Sequence, residues 1–255
     1  MRASELEEFF NIEDWYWWFV GHRRLVASLI RRYAPGPALR ILDVGCGSGG
    51  TLAAVRDQGS ATGCDLSPDA LRLCRQRSLK LLAGARAEHL CFASEVFDVV
   101  LSCDVLEHLQ RDDRALDEIE RVLKPGGVAI ITVPAYPWLW SAHDEVVRHQ
   151  RRYSRRQLMA VLRGAGLRIE LLSYAFCLPF PATLAARMGE RVRHRPLRPD
   201  QTDFIPVPAF VNRILIGLLG VERWLIPRTR LPWGSSLVAV VRKAASPEAR
   251  REDHG

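Results

Sequence analysis

Short apolar runs alternate with amphipathic stretches along most of the chain. The first run, Ile41 to Val44, is typical of a buried parallel strand, and it ends abruptly in glycines. Similar runs predict further strands near 60–65, 79–83, 97–102, 128–133, 167–174 and 236–242. The stretches between them predict helices near 51–57, 68–77, 112–123, 154–163 and 208–226. The pattern therefore predicts an α/β fold.

The glycines after the first strand predict a ligand-binding loop. Gly45, Gly47 and Gly49 let the backbone turn tightly and approach a ligand, and a helix follows them. Asp65 ends the second strand about 20 residues later, where a nucleotide-binding fold places a carboxylate for ribose hydroxyls. Asp43 stands before the loop, where an anion repels a pyrophosphate and attracts a cation. These residues predict a ligand with a ribose and a positive charge; a tight turn without a ligand is the alternative.

Four segments in this region resemble the motifs of class I S-adenosylmethionine-dependent methyltransferases of the small-molecule type. They read LDVGCGSGG (42–50), GCDLSPDAL (63–71), FDVVLSCDVLEHL (97–109) and RVLKPGGVAIITVP (121–134), in the order of the family. The resemblance implies a Rossmann-like sheet of seven mostly parallel strands with a reversed terminal strand. It also implies S-adenosyl-L-methionine as the cofactor and in-line methyl transfer as the reaction, in which the protein chiefly positions donor and acceptor.

The resemblance further implies a set of cofactor-binding residues and their neighbours. These are Asp43, Gly45, Cys46, Gly47, Gly49, Asp65, Leu66, Ala87, Glu88 and Asp104. One position departs from the family pattern, because Arg86 and Ala87 stand where relatives commonly have Asp-Ala, whose Asp meets the adenine amino group. The backbone amide of Ala87, or the carboxylate of Glu88, is expected to make that contact instead.

The region before the first strand is rich in aromatic residues. Phe9, Phe10 and the run from Trp15 to Phe19 precede a predicted helix that ends near Tyr33. Many relatives fold such a segment over the cofactor as a lid; an aromatic plug packed on the sheet edge is the alternative. Both arrangements bring the rings to the ligand cavity, so Trp18 is a candidate substrate-binding residue.

The stretch from Pro134 to Leu158 follows the fifth strand and therefore lies over the carboxyl edge, where open α/β sheets hold their ligands. It resembles a subgroup of these methyltransferases that is often encoded with polysaccharide or lipid biosynthesis functions.

His143, His149 and, after the fourth strand, His108 are candidate catalytic residues, because imidazole titrates near neutral pH. The other substrate-binding candidates are Trp138, Trp140, Arg152 and Tyr153. Arginines here favour an anionic acceptor, with a solvated face as the alternative. The histidine spacing matches no metal motif, so no metal site is expected.

Residues 175–234 form an insertion before the last strand. Its first half turns strongly basic from Arg187, and the helix predicted at 208–226 has an apolar surface too broad for one buried face. Internal packing, a homodimer interface, and contact with a membrane or a lipid-like acceptor are the alternatives. The predicted organisation is an N-terminal helical lid (1–37), a methyltransferase core (38–174), the insertion, the last core strand (235–243) and a disordered tail (244–255).

Composition sets the remaining bounds. The chain has 255 residues, of which 48% are apolar, so it can bury a full core. Its net charge of +7 fits anionic lipids or phosphates, and the sequence contains no recognisable nucleic-acid-binding module. No uncharged apolar run reaches the roughly 18 to 20 residues of a membrane span, and no secretory signal is recognised. We therefore expect a cytoplasmic protein, at most peripheral at a membrane.

The expected function is methyl transfer from S-adenosylmethionine to a small-molecule, glycan- or lipid-type acceptor. Two alternatives stay open at this point. The chain can bind S-adenosylmethionine as an accessory protein without transferring a methyl group, or it can be a nicotinamide-dependent oxidoreductase, because the two folds are related. Thermal stabilisation by S-adenosylhomocysteine and not by NAD separates the oxidoreductase from the others.

Overall fold

The fold is organised around one sheet, as seen in a computed structural model that describes residues 3–182, 184, 185, 189 and 207–245. The strands are β1 (Leu39–Val44), β2 (Gly59–Asp65), β3 (Leu82–Gly84), β4 (Phe97–Cys103), β5 (Leu123–Pro134), β6 (Arg168–Ala175) and β7 (Ser236–Arg242). They lie in the order β3-β2-β1-β4-β5-β7-β6. β7 runs antiparallel to both β5 and β6, and the other neighbouring pairs are parallel. The predicted Rossmann-like sheet with a reversed strand is confirmed.

Helices cover both faces of this sheet. They are α1 (Ala3–Ile12), α2 (Trp17–Tyr33), α3 (Gly50–Val55), α4 (Pro68–Gln76), α5 (Asp112–Val122), α6 (Ala142–Val146), α7 (Arg155–Gly164) and α8 (Ala209–Leu225). Successive strand residues point to opposite faces, so Leu42 packs in a core with α5 and α7, whereas Ile41 packs in a second core with α2 and α8. The buried parallel strands are therefore apolar on both sides, as the runs predict.

Two element boundaries differ from the sequence prediction. β5 begins at Leu123, which the pattern assigns to the preceding helix, because Leu123 is fully buried and pairs with Phe97 before the register shifts. The segment from Lys124 to Gly127 therefore continues the strand instead of forming a separate turn. β3 is shorter than predicted and begins at Leu82, since only three of its residues pair with β2 at the sheet edge.

The helix of the insertion, α8, buries two polar residues and exposes several apolar ones. Leu219 packs into the space left by the absent side chain of Gly21 in α2. Asn212 and Glu222 are buried, and the Asn212 side chain accepts the backbone N–H of Trp17 at 2.8 Å. Its exposed residues include Arg213 and five large apolar ones: Phe210, Ile214, Leu218, Val221 and Trp224. One side of the helix is thus packed internally, while the other shows an apolar face to solvent.

The basic part of the insertion lies outside the described residues. Arg187 and residues 190–206 belong to this part, and 246–255 of the predicted tail also lies outside the described residues. Within the described chain, no helix combines the length and the apolar character that crossing a membrane requires.

Candidate cofactor and acceptor site

The loop after β1 has the backbone that its glycines predict. Gly45, Gly47 and Gly49 have φ values of 70°, 53° and 86°, a region that residues with a side chain rarely adopt. At Gly45 a Cβ atom would press on the methyl groups of Val105, whereas at Gly47 nothing lies within 4 Å of that position. Cys46, between them, is buried. Gly47 therefore presents bare backbone to an open space at the carboxyl edge of the sheet.

Asp65 ends β2 beside this loop. Its Oδ2 accepts the Gly47 N–H at 3.0 Å, and its Oδ1 accepts the Ser67 N–H at 2.8 Å. Each carboxylate oxygen has a further lone pair with which to accept a ribose hydroxyl. The next residue, Leu66, is 66% exposed and offers an apolar surface next to the carboxylate. This pairing of an acceptor with an apolar surface fits the sugar and base of a nucleoside.

Asp43 is buried below the loop without a complete set of partners. It is 2% exposed, and its Oδ2 has no hydrogen-bond partner among the described residues. Burial and, second, the charge of Asp65 raise the pKa of Asp43 to about 8. A positive group nearby would favour the ionised carboxylate. The orphaned oxygen thus fits a ligand with a cationic end.

The residues predicted at the adenine edge follow β3. Ala85 donates its N–H to the Asp65 carbonyl at 3.2 Å, which fixes this segment beside the ribose-type carboxylate. Ala87 and Glu88 are both half-buried, and Arg86 lies 3.8 Å from the Glu88 carboxylate. Their contact with adenine stays a prediction.

The connection between α1 and α2 is held to the glycine loop by a half-buried arginine, Arg77. Arg77 lies 2.7 Å from the Glu13 carboxylate and 2.9 Å from that of Asp14. Its Nε also donates to the Ser48 carbonyl at 3.1 Å. Glu13 packs so closely on Gly50 that a Cβ atom there would overlap it. The N-terminal helices therefore contact the loop directly, and their role as a lid stays a prediction.

His22 of α2 lies beside the predicted site residue Asp104, although the sequence did not single it out. Its Nε2 lies 3.0 Å from the Thr132 hydroxyl and 3.7 Å from the Asp104 carboxylate. The rings of Trp18 and Phe176 are nearly parallel to it, with centroids 5.4 and 6.4 Å away. Burial lowers the pKa of His22, although Asp104 opposes this. The one available signal was its position four residues after Trp18, which places both on one helix face.

The three histidines predicted as catalytic residues come together in space. The ring centroids of His108 and His149 are 4.7 Å apart, and those of His143 and His149 are 6.3 Å apart. Burial, followed by the neighbouring His149, lowers the pKa of His108 to about 4. His149 Nδ1 lies 2.8 Å from Asp144 Oδ1. The folding of the segment after β5 therefore creates a histidine cluster, whose catalytic role stays a prediction.

Arg152 and Tyr153 are engaged with partners inside the protein. Arg152 donates to the Asp144 carboxylate at 2.7 Å and to the Ala135 carbonyl at 3.1 Å. The Tyr153 hydroxyl donates to the Asp112 carboxylate at 2.6 Å. Both residues are buried. Their predicted role in substrate binding gains no support from these contacts, which instead fix the segment after β5 on the sheet.

A second aromatic group lies where β5 ends. Tyr136 stacks on Tyr174 with centroids 5.2 Å apart and on Phe180 at 5.6 Å. Trp138 is half-exposed, with its ring 5.2 Å from Tyr136, and Trp140 is half-buried. Of the predicted tryptophans, Trp138 therefore extends this aromatic surface toward solvent.

The fold and the loop together define a Rossmann-like, nucleoside-binding protein. A family model described as a methyltransferase domain matches residues 42–131. A malonyl-[acyl-carrier protein] O-methyltransferase of Enterobacter lignolyticus (strain SCF1) is 33% identical over 172 residues, which cover 64% of this chain and 68% of that protein. The chain belongs to the class I S-adenosylmethionine-dependent methyltransferases. The predicted family, enzyme class and cofactor are thereby confirmed.

Other comparisons agree on the fold and differ in the acceptor. A ubiquinone biosynthesis O-methyltransferase of Xylella fastidiosa (strain 9a5c) is 29% identical, over 68% of this chain and 81% of that protein. The structure of Haemonchus contortus phosphoethanolamine N-methyltransferase 2 with S-adenosyl-L-methionine has a TM-score of 0.56 and 22% identity, covering 86% of this chain and 52% of that one. Further curated relatives, one of them a tRNA methyltransferase, are matched over 25% to 59% of their own length.

The residues of the loop fit S-adenosylmethionine, which supplies a methyl group activated on a sulfonium. Asp65 has the acceptor capacity for the ribose, and the orphaned Oδ2 of Asp43 fits the positive end of the molecule. Gly47 leaves room for the ligand to approach the backbone. The protein's contribution to the reaction is then chiefly to orient the donor and the acceptor.

Proposed function

We propose that this methyltransferase acts on an apolar, lipid-like small molecule that it takes from a membrane surface. The observation that carries the proposal is the outward apolar face of α8, one helix away from the aromatic side of the cofactor loop. α8 packs on α2 at Gly21, and α2 carries Trp18 three residues earlier. The exposed face and the aromatic groups thus belong to one continuous part of the molecule.

The aromatic groups favour an apolar acceptor. Trp18 stacks on Phe176 with centroids 5.5 Å apart, and Tyr136 stacks on Tyr174. Flat rings offer a large apolar contact area at a low entropic cost. The prediction of an anionic group on the acceptor is weakened, because Arg152 is buried against Asp144 and Ala135. Two relatives named for ubiquinone or menaquinone biosynthesis fit an acceptor of this chemistry.

The rim of the α8 face favours a membrane. Arg228 lies 4.4 Å over the ring of Trp224, and Arg213, Arg228 and Arg230 are exposed near the apolar residues. Arginine and tryptophan at the border of an apolar face are typical of helices that lie in a bilayer interface, and the net charge of +7 favours anionic lipids. Insertion of a few large apolar side chains supplies the binding energy.

A labelled-methyl assay tests the acceptor. The full chain is incubated with methyl-labelled S-adenosylmethionine and either a total lipid extract or the aqueous extract of the same cells. We expect the label to pass into the organic phase with the lipid extract, and to fall several-fold in Tyr136→Ala. Leu81→Ala changes an exposed leucine far from the aromatic groups and serves as the control. Label confined to aqueous products would refute a lipid-like acceptor.

Vesicle flotation tests the membrane surface. Vesicles with and without anionic lipid are mixed with the full chain, and we expect flotation to require the anionic lipid. Phe210→Ser with Trp224→Ser should abolish it, whereas Leu81→Ser should not. Dimerisation of the chain in sedimentation, lost in the same double variant, together with no flotation, would show that the face binds a second copy instead.

A further inference from the structure

Glu107 is a carboxylate in the interior of the protein. It is fully buried, and neither of its oxygens accepts a hydrogen bond from the described residues. An acid buried in this way is costly unless a proton or a cation neutralises it. The groups around Glu107 indicate whether a proton or a cation neutralises it.

His149 presents its Nε2 to this carboxylate, 3.8 Å from Glu107 Oε1. Its Nδ1 lies 2.8 Å from Asp144 Oδ1, and Asp144 also accepts hydrogen bonds from Arg152 Nε at 2.7 Å and from the Ser141 N–H at 2.9 Å. A hydrogen bond from Nδ1 to Asp144 leaves Nε2 as the ligand atom. Carboxylates orient metal-binding histidines in the same way.

His108 adds a third donor atom from the turn that follows β4. One donor atom from each of Glu107, His108 and His149 lies within 4.8 Å of the other two. We propose that Glu107, His108 and His149 bind one divalent transition-metal ion, and that Asp144 is the positioning residue of His149. Two imidazoles and one carboxylate favour ions such as Zn²⁺, Co²⁺ or Mn²⁺ over Mg²⁺, which prefers oxygen ligands.

The distances favour an ion over a shared proton. A proton between Glu107 and His149 requires their atoms to lie within about 3.2 Å of each other, less than the 3.8 Å found. An ion with bonds of about 2.0 to 2.2 Å separates two of its ligands by roughly 3.4 to 4.2 Å. The 3.8 Å between Glu107 Oε1 and His149 Nε2 falls in this range, whereas a proton bridge needs these two atoms to approach further. The three donor atoms, which lie within 4.8 Å of one another, come into range by small side-chain rotations.

The site lies close to the cofactor loop, because Val105, two residues before Glu107, packs on Gly45. Three protein ligands leave a coordination position for an acceptor hydroxyl, and this role rests on the proposed function. The bound hydroxyl loses its proton to solvent, and its oxygen lone pair forms the new C–O bond. The bond between methyl and sulfur breaks and leaves its electron pair on sulfur, which gives S-adenosylhomocysteine.

Calorimetry on the full chain, stripped of metals with a chelator, tests the site with Zn²⁺, Mn²⁺ and Mg²⁺ salts. We expect one ion per chain, with affinity in the order Zn²⁺, Mn²⁺, Mg²⁺. His149→Gln and Glu107→Gln should each lower the Zn²⁺ affinity by at least about 100-fold, and Asp144→Asn by about 10- to 100-fold. His89→Gln removes an exposed histidine outside the cluster and should leave the affinity unchanged. Binding of S-adenosylhomocysteine to every variant verifies that it is folded.

Three results would overturn the site: less than one ion per chain, equal Zn²⁺ affinity in wild type and His149→Gln, or an equal loss in His89→Gln. Absorption of a Co²⁺-loaded sample gives a second readout, because its visible bands report nitrogen ligands. Absence of ion binding in a chain that still methylates a lipid acceptor rejects the metal site alone. Ion binding without methylation of lipids rejects the acceptor alone.

Discussion

Asp43→Asn should stabilise the ligand-free protein while weakening its binding of the cofactor. The carboxyl has a pKa of about 8 in the folded chain, against 3.8 as its ordinary value. Between these values the folded chain holds a proton that the unfolded chain has lost, so the free energy of unfolding falls as the pH rises. The interval from 3.8 to 7, at roughly 1.36 kcal/mol for each pH unit, gives an upper estimate of about 4 kcal/mol at pH 7. Asparagine has nearly the same shape and avoids this cost.

Urea denaturation at pH 5, 7 and 8.5 measures the effect. The gain from Asp43→Asn should be about 1.5 kcal/mol at pH 5 and should grow to about 4 kcal/mol at pH 7. In the 255-residue chain, each kcal/mol corresponds to about 2 °C in Tm. With S-adenosylhomocysteine present the order should reverse, because the ligand's ammonium group loses its anionic partner. Wild-type affinity should also rise with pH toward 8, and this slope should disappear in the variant.

Asp98→Asn is the matched control, and its effect on the free energy of unfolding should have the opposite sign. Burial raises the pKa of Asp98, but its bonds to Lys124 Nζ at 2.7 Å and to the Arg40 N–H at 2.8 Å lower it more. A lowered pKa contributes stability above the ordinary value, which is lost as the pH falls through the folded value. Asp98→Asn should therefore destabilise the chain at pH 7. If Asp43→Asn destabilises the chain as well, or shifts stability equally at pH 5 and 8.5, Asp43 is not a buried, neutral acid.

Three further substitutions test the site and the packing. Asp65→Asn should raise the Kd for S-adenosylhomocysteine by about 10- to 100-fold in calorimetry, because hydrogen bonds to a charged group contribute about 1.5 to 3 kcal/mol; unchanged affinity would exclude it from the site. Gly21→Ala should lower the free energy of unfolding by about 1 to 3 kcal/mol, since the new methyl group meets Leu219, whereas Gly217→Ala, in open space on the same helix pair, should raise it by up to about 1 kcal/mol. Tyr153→Phe should cost about 1 to 3 kcal/mol in the same urea assay by leaving a buried carboxylate short of a donor; no loss would mean that water replaces the hydroxyl.

The strands and the loop were predictable because their signals are local. The run from Ile41 to Val44 is apolar at every position but Asp43, and a strand buried on both faces requires this. The glycine loop and Asp65 are likewise separated by one helix and one strand, so their distance along the chain reports their distance in space. The start of β5 at Leu123 was not predictable, because the lysine, proline and glycines that follow are typical of a turn. Pairing of Leu123 with Phe97 extends the strand instead.

The rest of the site depends on contacts between distant segments. His22 reaches Asp104 only when α2 is docked on the sheet, and no spacing in the sequence reports this. The spacing of His143 and His149 matched no metal motif for a related reason, since His149 lies 3.8 Å from Glu107, which belongs to the turn after β4. In α8 the expected inward apolar side is partly replaced by Asn212, whose partners lie at the start of α2.

Two buried acids at the carboxyl edge link stability to ligand binding in the proposals above. Asp43 lies near the end of β1 and Glu107 follows the neighbouring β4, and each has a carboxylate oxygen without a hydrogen-bond partner among the described residues. Replacing either by a neutral side chain of the same shape removes a cost of burial, so the stability of the ligand-free chain does not explain the presence of an acid at these positions. A positively charged cofactor beside Asp43 and a metal ion at Glu107 would each give a costly buried acid a partner of opposite charge. Ligand-free protein should therefore gain more thermal stability from the two ligands together than from either alone, because each neutralises a different acid.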